Sequence, residues 1–128
     1  MKEIVIIVVI LIIILGGAIY IQSFLNTTSD NLVVKLEDLK TNIEEENINK
    51  EELSKKTDDI YNEWKSINKK WSVVVLHSEI DSIETSLIKM KSKIKTNYLK
   101  ESIEDLDTTI FLLQHIKEKE KTSLKNIF

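Results

Sequence analysis

The 128 residues include no cysteine, no proline and no arginine, and the only two glycines, Gly16 and Gly17, are adjacent. From residue 18 onward the chain has neither Gly nor Pro. Tight hairpins lean on Gly, Asn-Gly or Asp-Gly turns, and neither dipeptide occurs, so β-rich folds are disfavoured. Gly-rich phosphate loops and dinucleotide fingerprints are excluded for the same reason. Without Cys there is no disulfide framework, thiolate zinc site or cysteine nucleophile. Charge of one sign is also missing: 18 Lys stand against 21 Asp plus Glu, a net −3. That balance is too mild to imply nucleic acid. The absence of Arg argues the same way, because bidentate phosphate and guanine contacts favour Arg.

A long apolar run is present. Ile4 to Ile21 is 18 residues without a charge or a strongly polar side chain. As a helix rising 1.5 Å per residue it spans about 27 Å, just enough for a hydrocarbon core. Its β-branched residues are mediocre helix formers in water, but in lipid the unsatisfied backbone forces a helix. The rival is a cleaved signal peptide, since Gly16 and Ala18 fit a small-x-small cleavage pattern. Against it, the N-terminal flank has one Lys offset by Glu3, and the apolar run continues past Ala18. A type IV pilin start needs a Glu within the run, and none is there. The expected organisation is a transmembrane anchor over residues 1–21 and a helical domain over residues 22–128. The lead before the span is short, which favours a C-terminal domain outside the cytoplasmic membrane, although the lysine counts on the two sides nearly tie.

Beyond the run, apolar residues recur with alternating gaps of three and four, the stripe of an amphipathic helix. The four runs are Leu25–Leu32–Leu36–Leu39–Ile43, Leu53–Thr57–Ile60–Trp64–Ile67–Trp71–Val74, Leu76–Ile80–Ile83–Leu87–Met90–Ile94, and Leu99–Ile103–Leu106–Ile110–Leu113. Asn49 followed by Glu52 is a variant capping box, with Ile48 and Leu53 at the staple positions. Ser78 with Asp81 is a second candidate box, and Thr96-Asn97 a third break, being two poor helix-interior residues side by side. Helices are expected over 22–46, 50–76, 79–95 and 97–118. One continuous helix from 50 to 95 is the alternative, since Val73 to Leu76 has no breaker. The fold class is all-α: an N-terminal transmembrane helix, then a small antiparallel bundle of about four helices.

Charge lies in blocks. Residues 30–63 hold 11 acids and 5 Lys, whereas residues 85–100 hold Lys89, Lys91, Lys93, Lys95 and Lys100 and no acid. The plain explanation is mutual steering of helices within one bundle. Catalytic constellations are missing. There is no Gly-x-Ser-x-Gly elbow, and no Glu-x-x-His, because Val74 and Leu112 stand three residues before His77 and His115. Asp59/Glu63 and Glu101/Asp105 lie one turn apart and are expected on solvated faces beside the stripes. Trp64 and Trp71, seven apart on the stripe, are expected in the core, with an aromatic interaction surface as the alternative. In an antiparallel bundle His77 and His115 arrive at the same membrane-proximal end, beside Glu79 and Glu118. These four are the only candidates for a metal or proton-sensing site; no metal or cofactor is expected. The tail from Lys117, ending on Leu124, Ile127 and Phe128, suits an anionic lipid surface or a groove on a partner.

The piece from Trp71 through Leu76-His77-Ser78-Glu79-Ile80, and more so the ending Leu113 to Phe128 with its Leu124-Lys125-Asn126-Ile127-Phe128, resemble the domain-of-unknown-function family 4363. These are small single-span helical proteins of spore-forming Gram-positive bacteria. The resemblance implies membrane attachment and a non-enzymatic role, with no known activity, cofactor or substrate. The reading from sequence is therefore a membrane-tethered helical interaction module at the cell membrane, contacting lipid and another membrane or envelope protein. The alternative is an extracytoplasmic sensing or metal-binding accessory domain using His77 and His115. An enzyme is not expected, nor a nucleic-acid partner; the oligomeric state is left open.

Overall fold

Four helices follow from the four stripes. In the computed structural model they are α1 (Lys2–Glu45), α2 (Lys50–Trp71), α3 (His77–Lys95) and α4 (Leu99–Ile127). The structure describes residues 1–127, apart from the side chains of Ser123, Leu124 and Ile127. The tail candidates Leu124, Ile127 and Phe128 thus lie, as side chains, outside the described residues. Around the ring, α1 packs on α2 and α4, and α3 packs on α2 and α4, with no diagonal packing among the described residues. Short connections and this neighbour order make an antiparallel up-down-up-down bundle.

The 44 residues of α1 form one unbroken helix. It passes the expected boundary at residues 21 and 22, and the Asn26–Asp30 stretch, without a break. Thr28 shows how polar residues fit there: its Oγ1 donates to the Phe24 carbonyl at 2.8 Å, a bond within the helix. The first buried residue is Leu25, after which Ser29, Leu32, Val33, Leu36, Leu39 and Ile43 face the core. Ahead of it, Ile4 to Leu15 are all exposed, and an added Cβ at Gly16 or Gly17 would meet nothing. The apolar half of α1 is therefore covered by no other part of the chain. The end of the bundle adjoining it is called the near end below, and the opposite end the far end.

The core takes most of the expected stripes: Leu53, Ile60, Trp64 and Trp71 from α2, and Ile80, Ile83, Leu87, Met90 and Ile94 from α3. Helix α4 departs from its stripe. Ser102, Asp105, Leu106, Thr109, Leu113 and Ile116 are buried, while Leu99, Ile103 and Ile110 are only partly so. Small polar side chains let α3 approach, and Ser86 Oγ meets Thr109 Oγ1 at 2.7 Å there. Asp105, expected on a solvated face, is instead 8% exposed, with Lys93 Nζ 2.7 Å from its Oδ2. The basic block of α3 serves as steering: Lys95 and Lys91 both pair with Asp58 of α2. Lys35–Glu63 and Lys56–Asp38 join α1 to α2.

Three boundaries differ from expectation. Helix α2 ends at Trp71 and not at 76, so the continuous 50–95 helix does not form. The β-branched Val73-Val74-Val75 are poor helix formers, and they turn tightly, with Val74 N and Val75 N bonding the Trp71 carbonyl at 3.0 and 2.8 Å. Ser78 is not the cap of α3; the N-cap is Leu76, without a side-chain bond. Helix α4 starts at Leu99 and runs on to Ile127, past the expected end at 118.

Candidate functional site

The near end of the bundle gathers most of the candidates. It is held by a tie between α2 and α1: Trp71 Nε1 donates to Thr28 Oγ1 at 2.9 Å. Ser29 Oγ donates to the Leu113 carbonyl at 3.2 Å and brings α4 in from the other side. Lys117 Nζ pairs with Asp30 at 2.9 Å. Between α3 and α4, Lys119 Nζ holds Glu79 Oε1 at 2.8 Å. Glu79 sits in the first turn of α3, where the helix dipole favours an acid. Its other oxygen, Oε2, is buried without a hydrogen-bond partner among the described residues. Glu120 beside it is held above the usual carboxylate range, first by burial and then by the Glu79 charge.

The two tryptophans lie inside, not on the surface. Each is 0% exposed, and their rings meet edge to face, 5.7 Å apart at 80°. The interaction-surface alternative for Trp64 and Trp71 is therefore corrected to a structural role. The antiparallel path accounts for their positions: residues seven apart on α2 fall on one face, and that face is the core.

His77 is the first residue of α3 and is exposed; His115 is exposed on α4, its ring stacked on Phe111 at 5.8 Å. The Glu79–Lys119 pair puts the start of α3 beside this stretch of α4, so both histidines belong to the near end, as the path implies. Among the described residues, no three His, Asp or Glu side chains come together as a metal site. Glu79 is taken by Lys119, and Glu118 is exposed.

Exposed apolar residues were the part that stripe reading missed. Val73 is 82% exposed and Leu76 60%, both in the turn between α2 and α3. Phe111 is 64% exposed, on the outer face of α4, and Val34 65%, on the outer face of α1. The Lys40–Asp107 and Lys117–Asp30 pairs bracket those two at similar height. A signal was available in sequence: Phe111 falls half a turn away from the Leu106–Leu113 face, where a soluble helix carries polar residues.

At the far end, Ile43, Ile48, Leu53, Leu99 and Ile103 line a crevice of about 360 Å³. Asn42, Glu44, Glu46 and Lys100 complete its rim.

Among the described residues one helix, α1, is long and apolar enough to cross a membrane, near the N-terminus. No curated protein and no solved structure matches the chain. The family described as Domain of unknown function (DUF4363) matches residues 19–127, nearly the whole bundle together with the end of the apolar run. The match takes in both the Trp71–Ile80 piece and the ending from Leu113, leaves out residues 1–18, and shows that the chain belongs to the DUF4363 family.

Proposed function

We propose that this protein is a membrane-tethered helical interaction module, anchored by the N-terminal half of α1 and holding its bundle outside the cytoplasmic membrane. The observation that carries the reading is the exposed apolar length of α1. Ile4 to Leu15 bury nothing against the bundle, and that much aliphatic surface is costly in water. A bilayer removes the cost, because the helix satisfies its own backbone there. The role is non-enzymatic: the Lys117–Asp30 and Lys119–Glu79 pairs and the Trp71–Thr28 bond at the near end hold helices together, and the sequence carries no catalytic constellation. The partner is another membrane or envelope protein, and the outward Phe111 and Val34 are the side chains offered to it. The metal-binding alternative has less to stand on, because Glu79 is already paired with Lys119.

Carbonate washing of native membranes tests the anchor. The full chain, with residues 1–21 retained, should stay in the membrane fraction; a soluble form beginning near Ile19 would mean a cleaved signal peptide. Ser66 is exposed on α2. A Ser66→Cys variant should react with an impermeant thiol reagent in intact cells, and protection until lysis would reverse the orientation. A photo-crosslinker in place of Phe111 should yield a defined adduct with an integral membrane protein. No adduct in native membranes would remove that face from the interaction.

A further inference from the structure

The turn between α2 and α3 reads Ser72-Val73-Val74-Val75-Leu76, an odd composition for a turn meant to face water. Val75 is 5% exposed and belongs to the core, and Val74 is partly buried against it. Val73 and Leu76 point outward, 82% and 60% exposed. The two bonds from Val74 N and Val75 N to the Trp71 carbonyl fix the turn, so neither outward side chain can fold inward without undoing the end of α2.

The position of the turn is set along α1. Trp71 is bonded to Thr28, and Thr28 is seven residues beyond Ile21, the last residue of the apolar run. At 1.5 Å per residue that is about 10 Å of helix. Helix α2 runs antiparallel to α1, so the chain beyond Trp71 continues toward Ile21 before α3 turns back. The headgroup layer on each side of a bilayer is about 5–8 Å deep. With Ile21 at the edge of the hydrocarbon, the tip of the turn lies within that layer. Helix α4 comes down beside it. From the Ser29–Leu113 bond, Ile21 is about 12 Å away along α1, whereas Ile127 is about 21 Å away along α4, which therefore reaches the level of the apolar run.

Charge supports the same surface. The last turn of α2 holds Lys69 and Lys70, and the end of α4 holds Lys121 and Lys125; none of these four makes an ion pair among the described residues. Lys70 Nζ lies 5.8 Å from the ring centroid of Phe24, at the foot of the bundle. On α1, residues 21–29 hold no acid; Asp30 and Glu79 at this end are paired with Lys117 and Lys119, which leaves Glu118 and Glu120 against the four lysines.

We propose that the near end of the bundle rests in the headgroup layer of an anionic bilayer. Val73 and Leu76 enter the acyl boundary, the ammonium groups of Lys69, Lys70 and Lys121 meet anionic headgroups, and Lys125, which the same count places below Ile21, reaches them along its alkyl stem. The inference rests on the anchoring by α1 proposed above. It adds a second contact with lipid, made by the folded domain itself, which limits how far the bundle can lean away.

The chain has no Cys, so single nitroxide labels can be placed cleanly. Full-length Ile10→Cys, Val73→Cys, Leu76→Cys and Asn97→Cys variants, spin-labelled and put into nanodiscs of phosphatidylcholine with phosphatidylglycerol, report exposure to oxygen or to a water-soluble nickel chelate. Labels at 73 and 76 should lose nickel accessibility relative to 97 and gain oxygen accessibility toward that at 10. If 10 reports lipid while 73 and 76 match 97, the anchor stands and this proposal falls. If 10 itself reports water, the anchoring reading fails and takes the proposal with it. In discs of phosphatidylcholine alone, nickel accessibility at 73 should partly return; no difference between the two compositions would overturn the role of the lysines.

Discussion

Trp71 is fully buried, packed edge-on against Trp64, and bonded through its indole N–H to Thr28 on another helix. Trp71→Ala should destabilise the bundle by about 3–5 kcal/mol, read from the shift in a urea melt. Trp71→Phe keeps most of the apolar volume and loses the bond to Thr28, so it should cost much less. Equal losses for the two would mean that the hydrogen bond, not the packing, is what matters at this position. Two carboxylates have opposite signs in their pH dependence. Asp58 is held below the usual carboxylate range, first by the hydrogen bond from Lys95. Its contribution to stability is full above the unfolded-state pKa and fades as pH falls through its depressed folded-state value. Glu120 is raised by burial and by Glu79, so it favours the folded state only when protonated, and that contribution fades as pH rises through its folded-state pKa. Glu120→Gln should therefore raise the melting temperature at neutral pH, with the gain shrinking as pH falls into the carboxylate range. An unchanged melt at neutral pH would show that Glu120 is as well solvated folded as unfolded.

Among the elements, the connection between α1 and α2 was the most legible. Asn49 Oδ1 accepts from Glu52 N at 2.8 Å, Leu53 is buried, and Ile48 packs on the core, as the local pattern implied. Asn49→Ala should cost about 0.5–2 kcal/mol in the same melt, and no change would mean that the staple alone sets the boundary. The break at Thr96-Asn97 was also visible, and the structure supplies its mechanism. Asn97 takes φ 69°, with Tyr98 N bonding the Lys93 carbonyl and Asn97 N the Ile94 carbonyl, a Schellman ending that Asn can adopt in place of the missing Gly. The turn after Trp71 was not legible, because three β-branched residues are a weak local signal and no Gly, Pro or side-chain cap marks the end of α2. Trp71 is fixed from outside its own helix, by Thr28, and three β-branched residues then leave the helix at little cost. The face of α4 was misread for a related reason. Apolar spacing singled out Ile103 and Ile110, whereas close packing on α3 selects the smaller Ser102 and Thr109.

At the scale of the whole molecule, every buried residue lies at or beyond Leu25. A fragment of residues 22–128 should therefore fold in water into a helical domain with a single cooperative melt. A fragment that is helical but melts without cooperativity would show that the bundle needs its anchor to fold. The architecture was legible in the stripes and the apolar run, since both are properties of single helices. The near end was only partly legible. That His77 and His115 share an end follows from antiparallel order alone, but the exposure of Val73 and Leu76 depends on a turn whose position the sequence did not reveal. The continuity of α1 has a mechanical side. From Ile21 to Glu45 the helix extends about 36 Å with no Gly, Pro or break to act as a hinge, so under the anchoring proposed above the span and the bundle tilt as one lever. Spans tilt to match the thickness of the bilayer they cross. A change of about 10° would swing the far end of the bundle sideways by about 6 Å, so a small adjustment in the lipid becomes a displacement as wide as a turn of helix where the domain meets its surroundings.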